Sequence, residues 1–171
     1  MSVSQDPNRD AWPALEAAQA YTETLKRHFG DRLVSVVLYG SVARNEHTPT
    51  SDIDLLIVAQ DLPPSHRARN RLLAQLEEQL VPLLASLRRR GVHTDFSTII
   101  KTPEEARRFT PLYLDLTKDA ILLYDQEGFF QGILDQLQAR LSALGARRVR
   151  QGNVRYWKLK PDYRWGEVIE I

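Results

Sequence analysis

The chain predicts an α/β (α+β) fold: a small mixed sheet of about four strands flanked by helices, with a C-terminal helix and an extended ribbon. Three observations lead there. Short runs rich in β-branched and aromatic residues recur at 33–39 (LVSVVLY), 53–59 (IDLLIVA), 92–100 (VHTDFSTII) and 120–124 (AILLY). Apolar residues recur at helical spacing between them, most fully at Leu72, Leu73, Leu76, Leu80, Leu83, Leu84 and Leu87. A length of 171 residues, 43% of them hydrophobic and none cysteine, suffices for one core without disulfides.

Residues 1–10 read as a loose tail, and Asp10 as a cap for a helix over 13–29 that ends at Gly30. The first strand follows and is stopped by Gly40. The polar loop 45–51 (NEHTPTS) is expected to project over whatever binds at the strand ends. After the second strand and the turn at Asp61–Pro64, a helical stretch runs over 65–90, with Pro82 expected to kink or divide it. Gly91 closes it before the third strand. Thr102, Pro103 and Glu105 together predict a capped helix start. A fourth strand ends at Asp125, and a second amphipathic helix spans 129–144 with Gly145 as its stop. We expect one domain: a core over 11–125, with 126–171 as a C-terminal helix and extension packed on it.

Two pieces of this chain carry chemistry. On a strand alternate side chains share a face, so Asp52 and Asp54 point one way and Ile53 and Leu55 the other. Like charges that close stay ionised cheaply only with a cation between them, and hard oxygen donors favour Mg²⁺. Gly40 and Ser41, ten residues earlier, let the backbone approach a bulky anion and add a hydroxyl donor. Arg44, three residues on, would project toward the same anion. An anion held between such a turn and a metal points to a nucleoside triphosphate.

Gly40-Ser41, ten residues, then Asp52-x-Asp54 flanked by apolar Ile53 and Leu55 resembles the signature of the DNA polymerase β-like nucleotidyltransferase superfamily. Within it, the resemblance is to the minimal and the antibiotic nucleotidyltransferases, and it covers residues 13–125. It implies Mg²⁺-dependent transfer of a nucleoside monophosphate from an NTP, ATP foremost, to an acceptor hydroxyl, with Mn²⁺ as an alternative ion. The acceptor stays open among a protein, an RNA and a small molecule. The resemblance to minimal nucleotidyltransferases also implies an antitoxin-like alternative, in which the protein binds and modifies a HEPN-type RNase toxin.

The resembling enzymes place a third acidic residue on a strand beside the first two, as metal ligand or as base for the acceptor hydroxyl. Asp95 is the candidate, read as lying on the third strand and sharing a face with His93 and Ser97. Asp115, Asp119 and Asp125 are competitors on later elements. Asp52, Asp54 and Asp95 are thus the expected catalytic and metal residues, and Gly40, Ser41 and Arg44 the expected nucleotide contacts.

The rest of the composition excludes more than it suggests. No pair of histidines has helical zinc spacing, and the formal charge of +1 gives no global pull toward nucleic acid or membrane. With no apolar run near the roughly 20 residues of a membrane span and no signal-peptide pattern, a cytoplasmic protein is expected. One segment stands out. Over 147–165, Arg147, Arg148, Arg150, Arg155, Lys158, Lys160 and Arg164 alternate with Tyr156, Trp157, Tyr163 and Trp165. Such a ribbon suits an RNA acceptor or an acidic partner; the plain alternative lays its rings on the core with charges outward.

Overall fold

The computed structural model describes residues 13–152, 154–163 and 165. The expected tail and Asp10 cap, and Arg164, lie outside them. The element order is α1 (Pro13–Phe29), β1 (Leu33–Tyr39), α2 (Gly40–Ala43), β2 (Ile53–Ala59), α3 (His66–Glu77), α4 (Val81–Arg89), β3 (Phe96–Lys101), α5 (Pro103–Ala106), α6 (Leu112–Asp119), β4 (Ile121–Asp125), α7 (Phe129–Ala143), β5 (Arg147–Gln151) and β6 (Val154–Lys158).

The four-stranded sheet runs β3-β2-β1-β4. β1 is antiparallel to β2 and to β4, while β2 and β3 are parallel, so the sheet is mixed as expected. This order brings the C-terminal end of β1 beside the N-terminal ends of β2, β3 and β4. Every ligand-binding candidate except the C-terminal ribbon sits along that one edge.

Each face of the sheet is covered. Ile53, Leu55 and Ile57 meet α1 and the α3–α4 pair, through Tyr21, Leu25, Leu73, Leu76 and Leu87. The Tyr21 ring tilts against Phe96 at 4.6 Å, and its hydroxyl donates to Glu77 Oε1 at 3.1 Å. Leu56 and Val58 face the opposite side and meet Tyr113, Leu116, Phe130, Leu134 and Leu141 of α6 and α7, with Trp157 and Leu159 behind them. A fully buried leucine or phenylalanine contributes roughly 1.5–3 kcal/mol by burial, so the two clusters hold the sheet flat against both helical layers. Asp54, two residues before Leu56 in the alternation, therefore belongs to the α6–α7 face.

Pro82 divides the leucine-rich stretch as its missing N–H requires: α3 ends at Glu77, a single tight turn covers Glu78–Leu80, and α4 restarts with proline in its first turn. The C-terminal ribbon is a two-stranded antiparallel hairpin, β5 with β6, turning at Gly152 with φ +61°.

Candidate nucleotide site

Gly40 takes φ +74°, and space beside it is already used. β1 and β2 pair Tyr39 with Asp54, which brings the Asp54 carboxyl over the Gly40 Cα. A Cβ built there would lie 2.0 Å from Asp54 Oδ2 and 3.0 Å from Cγ. Both the backbone twist and the carboxylate demand glycine. The chain then makes the short turn of α2, with Ser41 half-buried beside it, and leaves through Asn45 at φ 58°.

Asp54 is half-buried on β2 and Asp52, just before that strand, is exposed, near enough for its charge to act on Asp54. Burial pushes the Asp54 carboxyl above the ordinary aspartate range, and the neighbouring Asp52 charge adds to that. A Ser97 hydroxyl hydrogen bond and the Arg44 charge pull the other way. Ser97 is the residue paired with Asp54 in the β2–β3 register. Burial, with the Asp54 charge behind it, also holds the Tyr39 phenol up at about 12.

Asp95 departs from expectation. β3 begins one residue later, at Phe96, and the residues before it spend their hydrogen bonds elsewhere. Val92 N–H donates to Leu87 O, His93 N–H to Pro49 O, and Thr94 Oγ1 to Ser51 O. The Asp95 main chain still lies alongside β2, its carbonyl accepting from Ile53 N–H at 2.8 Å. Its side chain, freed from strand alternation, accepts from Arg88 Nη2 at 3.3 Å at the end of α4. That places the carboxylate toward the opposite face of the sheet from Asp54, where its charge helps to raise Glu77 after burial has done most. The three acids are thus a pair and an outlier.

The competitors have structural partners. Asp125 accepts from Ser35 Oγ at 2.6 Å and caps α7 through Phe130 N–H and Gln131 N–H. Asp119 accepts a two-pronged pair of hydrogen bonds from Arg148, and Asp115 accepts from Trp157 Nε1 at 2.9 Å. The loop after α2 is pinned instead of projecting: Thr48 and Ser51 bond each other, and the contacts from His93 and Thr94 tie it to the segment before β3.

Sequence reasoning missed Glu46. It accepts from Arg44 Nε at 2.9 Å and from Arg155 of β6, and those guanidinium contacts hold its carboxyl down at about 2. The pairs join the α2 loop to the C-terminal hairpin. Trp157 is half-buried against the α6–α7 cluster, whereas Tyr156 and Tyr163 are exposed and Trp165 wholly so. The ribbon is therefore a brace through Trp157, while Tyr156, Tyr163 and Trp165 depart from the expectation that its rings lie on the core.

Among the described residues no group of three or more histidine, aspartate or glutamate side chains is placed to hold a metal. The Asp52–Asp54 pair nevertheless fits a hard divalent ion. Mg²⁺ is commonly bound through one or two carboxylates, with phosphate oxygens and water completing the set. Asp54, lodged in a glycine-lined recess on β2, and Asp52 just before that strand suit such a donor set.

Comparison with known proteins assigns the family. A family model described as a nucleotidyltransferase domain matches residues 20–122. A curated relative from Methanocaldococcus jannaschii, "Putative protein adenylyltransferase MJ1305", is 28% identical over 120 residues, covering 69% of this chain and 76% of the relative. Among solved structures, a toxin-antitoxin with AMP-PNP aligns at 18% identity and a TM-score of 0.44, covering 74% of this chain and 92% of that one. A tri-AMPylated Shewanella oneidensis HEPN toxin in complex with MNT antitoxin aligns at 17% identity and a TM-score of 0.44, over 76% and 92%. At those scores neither likeness bears on function. The family match covers more than half of the chain and contains Gly40, Ser41, Asp52 and Asp54, and the chain belongs to the nucleotidyltransferase domain family.

Proposed function

We propose that the protein is a Mg²⁺-dependent adenylyltransferase that moves AMP from ATP to a hydroxyl group on a protein. The observation that carries it is the recess at Gly40. A carboxylate occupies the space where every other residue would place a Cβ, and the charge of a second, Asp52, reaches it. The sequence relative described as a protein adenylyltransferase supports the choice of nucleotide and acceptor class.

In this reading Asp52 and Asp54 hold the ion, with Mn²⁺ as a substitute. When bound, it supplies charge neutralisation for the phosphate oxygens during an in-line displacement. The chain's own part is positional. Gly40 admits the phosphate chain close to the backbone, Ser41 Oγ donates to it, and the Ser97 hydroxyl, bonding the charged form of Asp54, opposes the rise that burial causes. The acceptor oxygen bonds to the α-phosphorus as the bond from that phosphorus to the bridging oxygen breaks. The bonding pair leaves with pyrophosphate, and the acceptor proton passes to Asp95.

Asp95 must leave Arg88 for that task. The two side chains are 51% and 71% exposed, and an ion pair so exposed contributes only about 0–1 kcal/mol, so the turn is cheap. A HEPN-type RNase toxin as the acceptor protein is the narrower form of the same reading, resting on the resemblance of the motif to minimal nucleotidyltransferases.

The test is incubation of the purified protein with α-labelled ATP, Mg²⁺ and host lysate. Label should move to one or a few protein bands and be lost with Asp54→Asn. Label on RNA alone, or none transferred, would overturn the proposal.

A further inference from the structure

A cleft of about 750 Å³ opens between the end of α2 and the β5–β6 hairpin. Arg44, Lys118, Arg148, Arg150 and Arg155 line it. Facing them are Glu46 and Asp119, with Asp115 in the adjoining compartment, so five cations meet three carboxylates. Three of the arginines come from 148–155, beyond the stretch that matches the family, so nothing in the family assignment accounts for them. The surplus is positive, and four guanidinium groups lining one cavity suit a ligand with several phosphate oxygens.

The sheet order decides which phosphates these are. Across the functional edge the sequence of elements is β3, then β2 with Asp52 and Asp54, then β1 ending in Gly40 and Ser41, then β4. The cleft is lined by Ala43 and Arg44 after β1 and by Ala120 and Ile121 at the start of β4. It therefore lies on the β4 side of the carboxylate pair, and on the same face, since Leu122 at its floor packs in the cluster that Leu56 of β2 joins. In-line displacement sets the attacking and leaving oxygens on opposite sides of the phosphorus. With the α-phosphate at Asp52 and Asp54, a chain running over Gly40 and Ser41 enters the arginine cleft, and the acceptor must come from the β3 side.

We propose that the β5–β6 hairpin forms, with Arg44, a clamp for the β- and γ-phosphates of the bound NTP and for the departing pyrophosphate. This rests on the nucleotidyltransferase reading above and replaces the expectation that 147–165 meets the acceptor. Glu46 holds the clamp in register when the phosphates are absent. Its two guanidinium partners, Arg44 and Arg155, are the ones that a phosphate chain leaving Ser41 would reach, so the ligand exchanges one anion for another. Arg148 stays with Asp119 and keeps the hairpin on α6.

The test is calorimetry on the full chain with Mg²⁺ and, in turn, ATP, pyrophosphate, inorganic tripolyphosphate and AMP. Arg150→Ala with Arg155→Ala should weaken ATP, tripolyphosphate and pyrophosphate about tenfold or more, one or two charge-assisted hydrogen bonds lost, and leave AMP within about twofold. Melting temperature checks folding, and the single Arg150→Glu at an exposed position keeps the test alive if the double variant melts early. If wild type binds ATP through Asp54 but the hairpin variants bind all four probes with wild-type affinity and still label the acceptor, the clamp is wrong and the adenylyltransferase reading stands. If those variants keep ATP affinity and lose only labelling of the acceptor protein, the hairpin meets the acceptor and the clamp is likewise wrong. If wild type binds no NTP at all, both readings fail.

Discussion

Gly40 and Asp54 share one volume: a methyl group on the glycine would stand 2.0 Å from the Asp54 Oδ2 atom. Gly40→Ala must therefore expel the carboxylate from the recess, and at φ +74° the alanine is also strained. We expect a stability loss of about 1–2 kcal/mol from the backbone alone. Nucleotide binding should fall below detection, because the displaced carboxylate is the one closest to the phosphate turn. Calorimetry with ATP and Mg²⁺ beside a melting curve reads both, and ATP affinity equal to wild type would show that the recess is incidental.

The carboxylate pair should cost stability while serving binding. The folded-state pKa of Asp54 is raised, chiefly by burial. A raised acid favours folding below the unfolded-state value, and that contribution is lost as pH rises through the folded-state value. At neutral pH without divalent ions, Asp54→Asn should thus melt no lower than wild type and somewhat higher. The gap should close below the ordinary aspartate value of 3.8. Both Asp54→Asn and Asp52→Asn should lose Mg²⁺-dependent ATP binding. A variant that melts well below wild type at pH 7 would mean that the aspartate is structural.

Acid should loosen the contact between α3 and α5. Arg69 is buried, donates to Pro63 O at 2.7 Å, and forks onto both oxygens of Glu105 at 2.7 and 3.1 Å. Those bonds, with the Thr102 backbone N–H of the capping box, hold Glu105 down at about 2 from 4.5. For a lowered acid the stability is present above the unfolded value and is lost as pH falls toward the folded one, here between 4.5 and about 2. Glu105 is 38% exposed, so its contribution is on the order of 1 kcal/mol after screening. Melting curves across that window should fall more steeply for wild type than for Glu105→Gln. Parallel curves would show that the pair contributes nothing.

How much of this was legible in the sequence depends on how far apart the partners are. β1 and β2 were readable because each is an apolar run with a sharp boundary, Gly40 after one and the polar loop before the other. The division at Pro82 follows from one missing N–H. The start of β3 was not readable. Val92–Asp95 has strand composition, yet its hydrogen bonds go to α4 and to the loop at Pro49 and Ser51, and local propensity does not record such partners. The same holds for Arg155 and Glu46, 109 residues apart, whose pairing turns a basic-aromatic ribbon into one wall of a cleft. Ser97 could have been found, since a strand parallel to β2 must set some residue opposite Asp54.

The position of Asp95 makes the last prediction a contest between two variants. If Asp95 accepts the acceptor proton, Asp95→Asn should lower transfer by about 10²-fold or more while ATP affinity stays near wild type. Arg88→Ala removes the partner that draws its carboxylate toward α4. Because that pair is exposed, the change should cost less than about 1 kcal/mol in stability. It should leave transfer at least at the wild-type rate, and raise it if release from Arg88 limits the step. Single-turnover labelling of the acceptor, with melting curves as the control, separates the cases. Loss of transfer in Arg88→Ala with Asp95→Asn unaffected would mean that the arginine serves the acceptor, and that the base must be sought elsewhere on the β3 side.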